Sequence, residues 1–349
     1  MPRAFPAEIF PHVPFRLRAE ERLLHFRTPA RTSRGALGTR RIFYIHAESE
    51  AGCSTGECSP MPALSPDAGA DFPQRLQAAC EATEKQQGLR ASDFRESPAI
   101  RFGLETALFG LRHPLQPLWD TPFSRGESGI RIHHLIWMNS TGQMLQQMQA
   151  GIERGFGCLK LKIGALPFVD ELAMLAEAHR RFPNAEIRVD ANGAFGSDTA
   201  RAARCMEQLA AVGVSLIEQP LRAGQTALTG ELARAGILPL ALDEELIGCA
   251  DCTAKERLLD AIAPQGLVIK PTLHGGLSGA EEWAAAAEER GIAWWVNSAL
   301  ESHVGLSHLA QWCGKRAPQQ LHGLGTGMLY TDDDFLPNLH LKNCLLHYL

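Results

Sequence analysis

The chain has 349 residues, 45% hydrophobic and 21% charged, with a formal net charge of −5. That composition reads as a globular protein large enough for more than one domain. It provides no basic field for nucleic acid or an anionic membrane, and no apolar run approaches the roughly 20 residues that a membrane span requires.

The first residues, MPRAFPAEIFPHVPFRLR, carry prolines and charges where a signal peptide would carry an apolar stretch, so the expected location is cytoplasmic. Phe15, Leu17, Leu23, Leu24 and Phe26 fall in alternating stretches that predict strands, and RRIFYIHAES (40–49) predicts another. The intervening TPARTSRGALGTR is polar and glycine-containing, and GCSTGECSPMPALSPD is rich in turn residues. Both predict loops. Helices are expected from about 73 to 87 and from Ser97 onward, with Ser97 as N-cap and Pro98 at the first helical position. Residues 1–125 are read as an α+β capping domain. The nine cysteines, an odd number in a chain too large to need covalent staples, are read as reduced thiols. Cys249/Cys252 and Cys53/Cys58 lack the second pair of a zinc site and are read as coincidences of loop sequence.

From about Ile130 the pattern changes. IRIHHLIWM, CLKLKI, EIRVD, SLIEQ, PLALDE, GLVIK and AWWVN predict strands. Helices alternate with them, beginning at Thr141 as N-cap and continuing near 168–181, 198–212, 225–235, 255–260, 277–290 and 305–314. Units of about 25 to 28 residues in this order predict a parallel (β/α)7β barrel of the TIM type over 126–320, with 321–349 returning to the cap.

Five of these strands end in charge: KLK (Lys160, Lys162), RVD (Asp190), LIE (Glu218), ALD (Asp243) and VIK (Lys270). Chemistry in such barrels sits at the carboxyl ends of strands, so the five strand-end groups Lys162, Asp190, Glu218, Asp243 and Lys270 are expected at one mouth, with Lys160 beside them. Lys160 and Lys162 are two apart and point to the same side. Three crowded carboxylates repel unless a cation neutralises them, and oxygen-only ligation suits Mg²⁺ or Mn²⁺ rather than zinc. A salt-bridge network with the lysines is the alternative reading of the same residues. A metal flanked by amines suits proton abstraction next to a carboxylate. The cation stabilises the enediolate, and a neighbouring lysine is expected to have its pKa pushed down so that it acts as the base.

The combination K-x-K, D-A-N, E-Q-P, D-E and a further lysine resembles the enolase superfamily in its muconate-lactonizing subgroup, over nearly the whole chain. The lysine base and Mg²⁺-stabilised enediolate are that superfamily's known pattern. LIWMN, GCLKLKIGA, RVDANGAF, LIEQPL, SALES, GLGTGMLYT and the TSRG at 32–35 resemble its o-succinylbenzoate synthase branch, of menaquinone biosynthesis. The resemblance implies a small dicarboxylate substrate, 2-succinyl-6-hydroxy-2,4-cyclohexadiene-1-carboxylate, dehydrated with syn geometry. It implies Lys162 as the base that then protonates the departing hydroxyl, and Lys270 as a cation over the ring. Asp190, Glu218 and Asp243 are the implied Mg²⁺ ligands. Lys160 contacts the substrate carboxylate and helps keep Lys162 neutral. Arg188 either positions substrate or water or forms an ion pair. Asn192 and Glu244 orient the ligands. Ser298 and Gly325 are candidates for holding the succinyl tail through backbone N–H groups. His133 and His134 stand where the branch usually shows Asn-Gly. They point to opposite faces of their strand and make no joint metal site.

Three rivals share these residues. An N-succinylamino acid racemase or a dipeptide epimerase would use Lys162 and Lys270 on opposite faces of one carbon, although NSALES lacks the Asp-x-Asp expected of the epimerases. A non-catalytic scaffold would have lost one of the five groups, and none is missing. The oligomeric state is not encoded in these patterns.

Overall fold

In the computed structural model, which describes residues 3–32, 35–112, 117–325, 329–331 and 338–349, the alternating N-terminal residues build an antiparallel sheet. Its strands β1 (Phe15–Thr32), β2 (Gly35–Ser49) and β3 (Gly52–Cys58) pair in chain order. The described residues of the first expected loop and the opening Gly52–Cys58 of the second are therefore strand, while 59–67 are turn and loop as expected. The hairpin strands include 28–32 and 35–40, where Ala30 pairs with Leu37 beyond a register shift, because cross-strand pairing overrides weak local propensity. The turn-rich GCSTGEC forms β3 for a packing reason. A Cβ on Gly56 would lie 2.0 Å from the Gly103 carbonyl oxygen, so glycine lets a helix sit directly on the strand. That helix is α2 (Pro98–Leu111), which follows α1 (Phe72–Gln86). Ser97 takes the N-cap position with Pro98 at the first helical position, as expected, but its side chain makes no capping bond. Asp67 Oδ2 accepts from the N–H groups of Ala99 (2.9 Å) and Ile100 (3.1 Å) instead, while Ser97 Oγ accepts from Arg75. Ser33 and Arg34 of the TSRG segment, and 326–328 of GLGTGMLYT, lie outside the described residues.

Seven parallel strands form the main sheet, in order β11-β10-β9-β8-β7-β6-β5. They are β5 (His134–Ile136), β6 (Cys158–Lys162), β7 (Glu186–Asp190), β8 (Val214–Glu218), β9 (Leu240–Leu242), β10 (Gly266–Ile269) and β11 (Ala293–Val296). Helices α3 (Thr141–Glu153), α4 (Phe168–Arg181), α5 (Thr199–Ala211), α6 (Thr226–Ala235), α7 (Cys252–Ile262), α8 (Gly276–Glu289) and α9 (His303–Arg316) follow them in turn. The first is capped one residue earlier than expected, by Ser140, whose side chain accepts from Gln143 N. The stretch IRIHHLIWM is two strands rather than one. β4 (Ile130–Ile132) pairs with β12 (Leu321–His322) and with the C-terminal hairpin β13 (Leu339–Lys342)–β14 (Leu345–Tyr348), whereas β5 pairs with β6. Closure runs through β12: Gly323 bridges Asn297 beyond β11, and His133 N donates to His322 O (2.9 Å). This is a (β/α)7β barrel of the TIM type with an antiparallel sheet beside it. No helix among the described residues is long and apolar enough to cross a membrane.

Side chains alternate across each barrel strand. Leu216, Ala241, Val268 and Trp295 cluster inside. Two residues further along the same strands come Glu218, Asp243, Lys270 and Asn297.

The two units are joined by buried acids that meet helix N-termini. Glu105 of α2 accepts from Leu277 N (2.6 Å) and Ser278 N (3.3 Å) at the start of α8, and pairs with buried Arg101. Glu57 of β3 accepts from Ser302 N (2.9 Å) and Gly305 N (2.7 Å) at the start of α9. Each anion meets unsatisfied N–H groups and the positive end of a helix dipole. Leu24, Phe26, Ile42 and Tyr44 of the hairpin pack on Leu300, Val304 and Tyr330, with the Phe26 and Tyr330 rings 4.7 Å apart. Residues 329–331 run beside β1, where Arg27 N donates to Leu329 O and Thr331 N to His25 O.

His322 pins the closing strand. Its Nδ1 accepts from Val296 N (3.1 Å), and its Nε2 faces the carbonyl of Ala317 at 3.0 Å. Burial pushes its pKa down from 6.5 to about 4. The unfolded state therefore binds a proton below pH 6.5 that the folded state refuses, so the stabilising contribution is complete above 6.5 and is lost as pH falls toward 4. The stability advantage of the wild type over His322→Gln is predicted to be constant above pH 7 and to shrink by about 1.4 kcal/mol per pH unit below 6, read from denaturant midpoints. An advantage that grows on acidification contradicts this reading.

Candidate active site

Residues at the ends of β6 to β10 converge in the barrel mouth. Asp190 and Glu218 are the last residues of β7 and β8, Asp243 follows β9, Lys162 ends β6 and Lys270 follows β10. The register makes Asp190 the neighbour of both Lys162 and Glu218. Asp190, Glu218 and Asp243 are buried, and each offers an oxygen within 4.8 Å of the other two.

Lysines sit against all three acids. Lys160 Nζ lies 2.6 Å from Glu218 and 3.4 Å from Asp190. Lys162 Nζ donates to Asp190 (3.0 Å) and Asn192 Oδ1 (2.7 Å), and Lys270 Nζ donates to Asp243. The alternative of a salt-bridge network thus describes the arrangement of these side chains without an ion.

Burial and the crowded charges together set the electrostatics. Burial, and then the charge of Asp190, raise Glu218 well above the usual carboxylate range. Against the cost of burial, Glu218 and Asp190 raise Lys160, and Asp243 and Glu244 raise Lys270. Lys162, Lys160 and Lys270 outweigh burial at Asp190 and hold it low, as Lys270 does for Asp243. An acid and two amines that all hold protons more tightly mark a site short of positive charge. The raised pKa of Lys270 agrees with the expectation that it remains a cation.

The donor set fits a hard divalent ion. It is all oxygen, and Asp243 Oδ1 is buried with no hydrogen-bond partner. The surrounding loops hold the three acids in place. Asn192 and Gln219, each just past a strand end, have left-handed backbones (φ 43° and 42°), a local strain that surrounding contacts must hold. Gln219 Oε1 accepts from Asp243 N (3.1 Å) and Glu245 N (3.2 Å), tying the end of β8 to that of β9. Asn192 Nδ2 donates to Glu244 Oε1 (3.0 Å). Gln219 was missed in the sequence, although its place in E-Q-P beside Glu218 was visible.

A cavity of about 150 Å³ opens over the cluster. Lys160, Lys162, Asp190, Asn192, Glu244 and Lys270 line one side; Leu37, Met61, Leu64, Leu135, Trp137 and Leu300 make the apolar remainder. Leu37, Met61 and Leu64 come from the N-terminal unit and roof the site. Ser298 and Gly325 line it too. The Ser298 hydroxyl is engaged, donating to Glu301 (2.5 Å). Arg188 is a correction: it does not line the cavity. Its Nε pairs with Glu186 (2.7 Å) and its guanidinium lies over the Trp295 ring (4.9 Å), one layer below the mouth. His133 is buried and faces the cavity, while His134 points outward and stacks on Phe156. All nine cysteines are free thiols.

The model of the family "Enolase C-terminal domain-like" matches residues 143–342. An o-succinylbenzoate synthase of Desulfotalea psychrophila is 37% identical over 344 residues, covering 89% of this chain and 93% of that protein. The chain belongs to the enolase superfamily. The crystal structure of MenC from Desulfotalea psychrophila LSv54 superposes with a TM-score of 0.83 at 33% identity, covering 95% of this chain and 99% of that one. A substrate-liganded L-Ala-D/L-Glu epimerase from Bacillus subtilis superposes with a TM-score of 0.82 at 18% identity, which shows a shared fold. Enzymes of the superfamily use Mg²⁺, and the buried acid triad is where this member could hold a divalent ion. The protein is an enzyme, which sets the scaffold alternative aside.

Gln219→Leu keeps the volume but removes the acceptor shared by Asp243 N and Glu245 N. It is predicted to cost about 2 kcal/mol of stability and to reduce the thermal stabilisation given by Mg²⁺. Unchanged stabilisation by Mg²⁺ means that Gln219 does not set the geometry of Asp243.

Proposed function

We propose that the protein catalyses the Mg²⁺-dependent syn dehydration of 2-succinyl-6-hydroxy-2,4-cyclohexadiene-1-carboxylate to o-succinylbenzoate, in the cytoplasm, as a step of menaquinone biosynthesis. The observation that carries the reaction is the 37% identity, over 89% of the chain, to an o-succinylbenzoate synthase. The epimerase reading has less support: the L-Ala-D/L-Glu epimerase of Bacillus subtilis is 28% identical over 54% of the chain. In this proposal residues 1–125 cap the site, 126–320 form the catalytic barrel and 321–349 complete the structure.

Asp190, Glu218 and Asp243 would hold the ion, with Mn²⁺ as a substitute, and their buried oxygens support that role. When bound, the ion supplies positive charge beside the substrate carboxylate, where the enediolate develops. Lys162, uncharged, removes the ring proton adjacent to that carboxylate. Its ammonium then gives the proton to the departing hydroxyl on the same face. One C–H and one C–O bond break, one C=C bond forms, and water leaves. Asn192 Oδ1, 2.7 Å from Lys162 Nζ, aims the amine throughout. Lys270 stands on the far side of the three acids and presents its ammonium to the ring, a cation–π contact. Lys160 meets the substrate carboxylate, and Glu244 holds Asn192. Ser298 and Gly325 provide the wall for the succinyl tail. Leu37, Met61 and Leu64 keep water out, which strengthens every charge interaction below them.

The test is loss of precursor absorbance with Mg²⁺. The wild type is expected to turn over, and Lys162→Ala to lose at least 10³-fold in kcat, within the range of a lost general base. Asp243→Asn is expected to lose both turnover and Mg²⁺-dependent thermal stabilisation. Dehydration persisting in Lys162→Ala overturns the assignment of the base. Absence of wild-type turnover with Mg²⁺ bound overturns the reaction.

A further inference from the structure

The cavity holds a polar pair that the proposed chemistry leaves unused. Asn297 stands one residue beyond β11 and is 5% exposed; His133 stands between β4 and β5 and is 4% exposed. Both line the cavity. His133 Nε2 lies 3.4 Å from Asn297 Oδ1. The imidazole is neutral: burial, with Lys160 nearby, pushes its pKa down to about 3. A neutral ring carries one N–H. Nδ1 has no partner, so the proton belongs on Nε2, where an acceptor stands. His133 therefore donates to Oδ1 and fixes the orientation of the amide. The Asn297 Nδ2 group is left with no protein acceptor among the described residues. Gly323 keeps the pair in place, since a Cβ there would lie 2.0 Å from Asn297 Oδ1 and 2.6 Å from His133 Nε2.

From this geometry we infer that Asn297 Nδ2 donates a hydrogen bond to an uncharged carbonyl oxygen on the substrate's side chain, and that His133 is the positioning residue that aims it. Carboxylate recognition is less favourable here. The pair has no net charge; of the nearby cations, Lys160 is given to the ring carboxylate in the proposed reaction and Arg188 is paired with Glu186. A carboxylate buried against one amide donor would lose more solvation than it gains. The inference rests on the proposed reaction, because the side chain in question is the succinyl group, whose ketone is adjacent to the ring.

The test is equilibrium binding with Mg²⁺ present, which needs no turnover. o-Succinylbenzoate is compared with 2-(3-carboxypropyl)benzoate, in which a methylene replaces the ketone. The wild type is expected to prefer the ketone about tenfold. Asn297→Ala and His133→Phe are expected to remove that preference, and His133→Gln, which can still donate to Oδ1, to restore part of it. Stabilisation by Mg²⁺ should be unchanged in all three, which excludes a collapsed site. No preference in the wild type, or a preference that survives Asn297→Ala, overturns the inference. If the wild type shows the preference but does not dehydrate the precursor, the proposed reaction fails and the carbonyl contact stands. If the wild type binds neither ligand, both fail.

Discussion

Three carboxylates, buried and within 4.8 Å of each other, exist together only if positive charge is placed among them. Everything else in the mouth of the barrel answers that constraint. Three lysines approach the triad from β6 and β10; burial and then the charge of Asp190 raise Glu218, and the neighbouring carboxylates raise Lys160 and Lys270 against the cost of burial. A divalent ion at the triad would leave Lys162 and Lys270 free to face substrate. The ion pairs and the catalytic arrangement are then two occupancies of one electrostatic site. In the proposed reaction, the lysine that must lose a proton is held beside acids until the acids have another partner.

The fold imposes this convergence at some cost. Left-handed residues at Asn192 and Gln219 bend the chain sharply after Asp190 and Glu218, and the Gln219 side chain ties the next strand end to its own. The N-terminal unit contributes Leu37, Met61 and Leu64 to the cavity. Glu57 and Glu105 anchor that unit on the first turns of α9 and α8. The roof is thus fastened to helices that follow β11 and β10, whose ends carry Asn297 and Lys270.

Period and spacing made the barrel legible. Charged residues at the ends of consecutive apolar strands, 25 to 28 residues apart, identified the five groups that the structure brings together. The same period of two contained Asn297, two residues past Trp295, but an uncharged residue does not stand out in sequence. Arg188 has the right face and the wrong depth: one layer down, it meets Glu186 and Trp295 instead of the cavity. The cap was less legible because its strands carry loop-like sequence. Gly56 reads as a turn residue until α2 is seen lying against it, and 28–32 and 35–40 are strand only through their cross-strand partners. The position of the α2 cap, Ser97, was legible, but the group that bonds the first N–H groups, Asp67, comes from elsewhere in the chain.

The most direct test of the central claim is anomalous diffraction from crystals grown with Mn²⁺. The account predicts a single peak bonded to oxygens of Asp190, Glu218 and Asp243, with the Lys162 and Lys270 ammonium groups withdrawn from those acids. Saturating Mn²⁺ with no density at the triad, and the lysine–carboxylate pairs intact, would contradict it.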